Sequence, residues 1–436
     1  MSWFKKVFLL AGDVAALYLS LGIALLVRYG SDEALASFSV HVGPFSAIFV
    51  LWLLVLYLAD LYRPATLRSN TAIATSLAIA IAIAGSLSMI ALYLFGDFFV
   101  LTPKTNLLIL GVVFFVIGTA WRAVTRTRFA AGAENIVLLG DSPQAAELVA
   151  YLAENPHTGY RVTTWVREEA SDLYVKLTDA VRAAGATAVV VPNSITKNSG
   201  ILSTVYRLLP LEISIIQLSD FYELIFERTP LDALDESWFI QNISTRHSFY
   251  DPAKRLIDIA VACITLVIFS PFFLVIAAAV ALSSPGPIIF RQERIGKNGT
   301  PFTLVKFRVM VTGHNGSPVT MQNDPRFTRI GRLLNFTHLN ELPQLWNVLK
   351  GDISVTGPRP ESVPLVATYR TLPYYDLRHA VKPGLTGWAQ INFRPSVSLE
   401  EAYEKLKYDI YYIKNRSVFL DTLIIIRTIR YFFSSH

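Results

Sequence analysis

The chain has 436 residues, 53% of them hydrophobic and only 17% charged, with a formal net charge of +6. Soluble domains carry roughly a quarter charged residues, so a wholly soluble protein is excluded, and the single cysteine, Cys263, excludes a disulfide framework. The positive balance suits membrane surfaces and phosphorylated ligands, while the absence of a dense basic stripe with interleaved aromatics argues against a nucleic-acid partner.

Four apolar runs, roughly 7–28, 42–62, 72–97 and 105–121, each reach the roughly 20 residues that a spanning helix needs. The first is read as an uncleaved anchor, because its apolar part is too long for a signal peptide and no small-residue cleavage site follows. Lys5 and Lys6, Arg63 and Arg68, and Arg122, Arg126 and Arg128 mark the basic loops. They put everything after residue 122 on the cytoplasmic side. Asp13, inside the first span, is expected to pair with a neighbouring helix, a functional role being the alternative.

From about 134 the composition turns soluble. "NIVLLG" (135–140), "ATAVVVP" (186–192) and "EISIIQL" (212–218) read as strands with helices between them, which implies a parallel α/β layer. "LLGDSPQ" has only Gly140 of the glycine fingerprint of a dinucleotide turn, so this domain is read as structural or regulatory.

The stretch 254–290 holds a further apolar run, about 256–282, with Ser270-Pro271 at its middle. Proline there removes one backbone bond and clashes with the preceding turn. Serine can re-bond the freed carbonyl. Basic residues flank the run on both sides, Lys254-Arg255 before it and Arg291, Arg294 and Lys297 after it. That is the pattern of a re-entrant helix, which leaves the membrane on the face it entered. Helices are predicted at 338–350, 399–415 and 417–433, the last two amphipathic and suited to a membrane interface.

Many polar residues of this last region adjoin Gly or Pro, as in "RIGKNG", "DPRFTRIGR", "GPRPE" and "KPGLTGW". Cations on tight turns combine fixed side chains with exposed backbone N–H groups, a combination that binds phosphate. Lys306, Arg308, Arg332, Arg359, Lys382 and Arg394 are the candidate phosphate ligands. A nearby carboxylate can hold Mg²⁺, which takes few protein oxygens together with phosphate oxygens. Glu341 is the candidate, with Asp352 as a weaker second ligand.

The stretches "KRLIDI…FSPFFL", "PGPIIFRQERIGKNGTPF", "KFRVM", "DPRFTRIGRLL", "LNELPQLWNVLKGDISVTGPRPE", "KPGLTGWAQIN" and "YDIYYIKNRSVFLDT" resemble, in order and spacing, the bacterial sugar transferase family over about residues 252–433. "YLADLYRP" and "FERTPLDALDESWF" resemble its long-form members, which add four spanning helices and a degenerate dinucleotide-fold domain. The resemblance implies transfer of a sugar-1-phosphate from a UDP-sugar to undecaprenyl phosphate, with Mg²⁺ and release of UMP. It further implies a re-entrant helix broken at Ser270-Pro271, a bacterial inner-membrane location with the catalytic domain on the cytoplasmic face, and a homodimer as the plausible assembly.

The family carries an adjacent Asp-Glu pair in which Asp attacks phosphorus and Glu is associated with the metal. Here the Asp position is Asn340, Glu341 is kept, and Asn335 stands where an Arg is usual. An amide is a poor nucleophile. Either Glu341 supports transfer without the Asp, or the chain is a catalytically impaired relative that binds or scaffolds. The expected fold is therefore a four-helix transmembrane bundle (1–130), an α/β Rossmann-like domain (131–250) and a mostly α-helical transferase domain with its re-entrant helix (251–436).

Overall fold

The computed structural model describes residues 3–59, 61–62, 70–94, 104–131, 133–167, 173–193, 199–211, 213–243, 249–311, 325–393 and 398–434. They form two compact units divided between Phe226 and Glu227.

In the first unit, helix α1 (Trp3–Leu58) is broken at Gly30, whose φ of 75° lies in the left-handed region that glycine tolerates. Helices α2 (Asn70–Leu94) and α3 (Lys104–Ala131) follow. Together they supply four helical segments long and apolar enough to cross a membrane: Val7–Ala34, Ala36–Leu58, Ile73–Leu94 and Thr105–Thr125. Arg63 and Arg68 lie outside the described residues, as do the side chains of Lys5, Lys6, Arg126 and Arg128. The bundle core is built on Leu17, Leu21, Phe45, Trp52, Leu77 and Phe114. Asp13 is fully buried and accepts two bonds from Arg122, at 2.9 and 2.8 Å. The expected pairing of Asp13 is thus found, and the reading of Arg122 as a loop charge is corrected. It is a buried partner, because a lone carboxylate among apolar side chains costs several kcal/mol.

Four parallel strands follow, β1 (Glu134–Leu139), β2 (Tyr160–Val166), β3 (Ala188–Val191) and β4 (Ser214–Gln217), in the order β2-β1-β3-β4. They alternate with α4 (Pro143–Glu154), α5 (Leu173–Ala184), α6 (Ser199–Tyr206) and α7 (Leu218–Phe226). Side chains alternate across a strand, so Ile136, Leu138 and Val190 pack on α4 and α7, and Val137, Leu139 and Val189 on α5 and α6. A doubly wound sheet takes ligands where its strand order reverses, here between the carboxyl ends of β1 and β3. At that point the Gly140 carbonyl accepts the Trp165 indole N–H at 2.8 Å, and a Cβ on Gly140 would lie 3.5 Å from the Pro192 ring.

The second unit begins at Glu227, ahead of the boundary at 250 expected from the sequence. Leu231, with Trp238 and Phe239 of α8 (Glu236–Asn242), packs on Tyr375, Trp388 and Leu406. After α9 (Tyr250–Ser283) come β5 (Ile289–Ile295), β6 (Pro301–Phe307), α10 (Arg329–Phe336), α11 (Gln344–Lys350), β7 (Ser354–Thr356), α12 (Val363–Tyr369), β8 (Gly384–Thr386), α13 (Trp388–Asn392), α14 (Leu399–Asn415) and α15 (Val418–Ser434). β5 and β6 form an antiparallel hairpin. Its turn places Asn298 and Gly299 at φ 57° and 74°, the geometry that Asn-Gly favours. β7 and β8 pair in parallel.

Helix α9 has 34 residues, about 51 Å at 1.5 Å per residue. Pro271 cannot donate to the carbonyl four residues back, Val267, and the Ser270 hydroxyl donates to that carbonyl at 2.8 Å instead. Both ends of α9 are held by the same unit. Near the start, Arg255 donates to the Val348 and Leu349 carbonyls at 2.6 and 2.7 Å, and Asp258 accepts from Ser354 Oγ and Val355 N at 2.9 and 3.0 Å. At the far end, Arg308 donates to the Ser284 and Pro285 carbonyls at 2.6 and 2.7 Å. Between these anchors Val267, Ile268, Leu274 and Val275 are exposed.

Candidate active site

The "GPRPE" loop is fixed before its side chains are considered. Gly357 N donates to Thr386 O, Gly384 N to Pro358 O, and Ile295 N to Glu361 O, at 2.9, 2.9 and 3.1 Å. Arg378 holds the Arg359 carbonyl at 2.9 Å, and Arg294 holds that of Pro360 at 3.0 Å. Gly357 and Gly384 approach so closely that a Cβ on either would clash with the other's backbone or its neighbours. Glu361 anchors the end of the loop, 2.6 Å from Lys405 and 3.9 Å from Arg378. Burial opposes its ionisation, but Lys405 and Arg378 outweigh burial and hold the carboxyl near 2.

Opposite this loop, the helix predicted over 338–350 divides. His338 takes a left-handed φ of 54°, Leu339–Glu341 make a 3₁₀ turn, and α11 starts only after Pro343. Successive residues of such a turn point about a third of a revolution apart. Asn340 is turned inward, 3% exposed, and its Oδ1 has no hydrogen-bond partner among the described residues. Glu341 is turned outward, and its carboxylate stands 3.9 Å from the Arg359 guanidinium, with side chains 21% and 43% exposed respectively. Lys306 joins this pair from β6. Burial, and then the charges of Arg294 and Arg359, bring its ammonium down to about 8, against the pull of Glu341. Lys306, Arg294, Arg359 and Glu341 thus share one electrostatic neighbourhood.

Asn347, which the sequence reading passed over, fixes the two sides together. From α11 its Oδ1 accepts Val305 N at 3.1 Å, and its Nδ2 donates to Thr303 O at 2.8 Å and to Asp352 at 3.0 Å. It clamps β6 directly before Lys306. The signal was an amide between apolar residues in "LWNVLKGD", which a surface residue does not need.

Residues 249–435 match the model of the bacterial sugar transferase family. Over 221 residues the chain is 38% identical to a UDP-N-acetylgalactosamine-undecaprenyl-phosphate N-acetylgalactosaminephosphotransferase of Aeromonas hydrophila, covering 50% of this chain and 52% of that protein. It is 48% identical over 181 residues to a UDP-glucose:undecaprenyl-phosphate glucose-1-phosphate transferase of Escherichia coli (strain K12), covering 40% and 39%. An uncharacterized sugar transferase, EpsL, of Bacillus subtilis is 43% identical over 181 residues, 41% of this chain and 85% of that protein. The chain belongs to the bacterial sugar transferase family. It matches about half of the first of these relatives and less of the second.

The candidate ligands of this family member separate into groups. Lys306, Arg359 and Glu341 come together, joined by Arg294. Arg308 does not join them, because it is buried and its terminal nitrogens are spent on carbonyls at the end of α9. Arg332 lies on an exposed face of α10. Arg394 lies outside the described residues. Lys382 lines a different cleft, with Arg255, Asp258 and Lys297. Asp352 faces Asn347 and, at 3.3 Å, Lys350.

Among the described residues no three His, Cys, Asp or Glu gather as a metal cage. Mg²⁺ does not need one, since one or two carboxylates with substrate phosphates suffice. Glu341, half-buried beside cations that would face those phosphates, fits the role of single protein ligand.

Proposed function

We propose that the chain transfers a sugar-1-phosphate from a UDP-sugar to undecaprenyl phosphate, releasing UMP, as the first membrane step of exopolysaccharide, O-antigen or capsule assembly. The observation that carries this reading is Glu341 facing Arg359, Lys306 and Arg294 across a loop whose backbone is pinned on every side. Phosphoryl transfer is mostly positioning and charge stabilisation. Arg359 and Lys306 supply cations for the diphosphate, and Arg294 keeps the Arg359 loop in place. Glu341 would hold Mg²⁺, which neutralises charge on the phosphate oxygens when bound. The phosphorus–oxygen bond to UMP breaks as a new one forms, to the acceptor phosphate or first to a side chain. α9, anchored at both ends by one unit and exposed in its middle, supports a re-entrant helix. That keeps this domain on the cytoplasmic face of the bacterial inner membrane, with a homodimer as the assembly.

Asn340 supports a second reading, a catalytically impaired member that binds without turnover. Its Oδ1, without a hydrogen-bond partner among the described residues, sits where the resemblance puts a nucleophilic carboxylate. UMP release from a panel of UDP-sugars, with undecaprenyl phosphate and Mg²⁺, separates the two. Release by the chain as it stands, lost in Glu341→Gln, upholds transfer. Silence in the chain with turnover in Asn340→Asp upholds the binding reading. Silence in both, with no UDP-sugar bound, defeats both.

A further inference from the structure

A second cleft, of about 290 Å³, opens at the first turns of α9. Five cations line it, Lys254, Arg255, Lys297, Lys382 and Arg416, against the acids Asp251 and Asp258. Two of the charges are already committed to the fold. Lys254 is paired with Asp421 at 2.9 Å, and Asp258 is occupied by Ser354 and Val355. Arg255 bonds to carbonyls of α11, and among the described residues no carboxylate lies within ion-pair distance of it. Among the described residues, neither Lys297 nor Lys382 has a carboxylate within ion-pair distance.

These cations also converge. A Cβ built on Gly351 would lie 3.3 Å from Lys382 Nζ and 3.5 Å from an Arg255 Nη. Two like charges brought to one point repel unless an anion lies between them. Burial, and then Arg255 itself, hold the Lys382 ammonium below its usual range. The cleft lies at the small end of the range for ligand pockets, and so suits a headgroup better than a sugar nucleotide. Beyond it, Leu256, Ile264 and Val267 of α9 are exposed. A hydrocarbon chain can lie along them while its polar end sits among the cations.

We infer that this cleft is a binding site for a phosphate monoester carried on a membrane lipid, separate from the Glu341 constellation. Lys382, Lys297 and Arg255 surround the phosphate oxygens with donors, as clustered cations do for dianions. The site rests on the membrane reading of α9 and not on chemistry at Glu341.

The test uses the full chain in phosphatidylcholine nanodiscs titrated with phosphatidic acid, with lipid occupancy read by native mass spectrometry and no turnover required. Lys382→Gln is expected to weaken binding about tenfold or more, and Lys297→Gln a few-fold. Lys382→Arg restores binding, and Lys350→Gln, an exposed lysine outside the cleft, leaves it unchanged. If Lys382→Gln fails to fold, Lys297→Gln in the exposed hairpin turn still decides. Displacement of the lipid by inorganic phosphate supports the site and identifies the phosphate as the group it reads. Retention against inorganic phosphate supports it with the lipid chain contributing. Equal binding by parent and both glutamine variants overturns the inference, as does binding of diacylglycerol as tight as that of phosphatidic acid. Because UMP release is not the readout, failure of the transferase reading leaves this result interpretable.

Discussion

Arg308, at the end of β6, and Arg359, in the "GPRPE" loop, carry the same group and use it in opposite ways. Arg308 is 4% exposed and gives its terminal nitrogens to the carbonyls of Val280, Ser284 and Pro285. Arg359 has its backbone held by Arg378 and its neighbours held by Arg294 and Gly384, while its guanidinium stays half-exposed before Glu341. A guanidinium has five donors in a fixed fork. Where the fold consumes them, the residue is structure. Where the fold fixes the backbone and leaves them unspent, the residue is available to a ligand.

That distinction breaks if the two substitutions behave alike. Arg308→Met should lower unfolding stability by about 3–5 kcal/mol, because buried carbonyls are left without donors at roughly 1–3 kcal/mol each. Thermal melting in detergent reads this, and a change near zero would return Arg308 to the ligands. A similar stability effect is expected of acid. Glu361 is held near 2 in the folded chain, below its ordinary 4.5. Its contribution is therefore fully present above pH 4.5 and is lost as pH falls toward 2, about 3 kcal/mol at 1.36 kcal/mol per unit. Glu361→Gln should flatten that part of the stability profile, and an unchanged slope there would remove Glu361 as its source.

Arg359→Ala is the converse case. It should cut UMP release roughly 100-fold, about 2.7 kcal/mol of transition-state stabilisation, with little change in melting temperature. A large melting shift would erase the contrast with Arg308. The smallest effect is expected at Ser270→Ala, about 1 kcal/mol for one hydrogen bond. It should appear as faster hydrogen exchange at the middle of α9, and unaltered exchange would mean that the Val267 carbonyl does not depend on the hydroxyl.

Long apolar runs made α9, β1, β3 and the bundle helices legible, because burial on all sides or lipid on one side leaves a compositional trace. α14 was legible end to end from its amphipathic period, and the structure adds the capping box of Ser398 with Glu401. β2 was not, since its half-exposed sequence "YRVTTWV" mixes Arg and Thr into an edge strand. The hairpin of β5 and β6 was hidden by its charged residues, although Asn298-Gly299 marked its turn. At the site, residue type and turn placement nominated Lys306, Arg359 and Glu341 together with Arg308 and Lys382. What separates those two groups is which carbonyls and carboxylates the folded chain brings within reach, and contacts across about 20 residues or more leave no local pattern. The partners of the Asn347 clamp, 42 and 44 residues away, were hidden in the same way, although an amide among apolar residues marked its position.

The bond between Asp13 and Arg122 joins residues 109 positions apart. A chain made at about 5–20 residues per second brings Asp13 to the membrane on the order of 5–20 s before its partner exists. During that interval an acid in the bilayer costs about 3 kcal/mol. The ion pair therefore gives the bundle a schedule. Asp13 of α1 gains its partner only when α3 is in place, so closure of the bundle around this acid waits on α3.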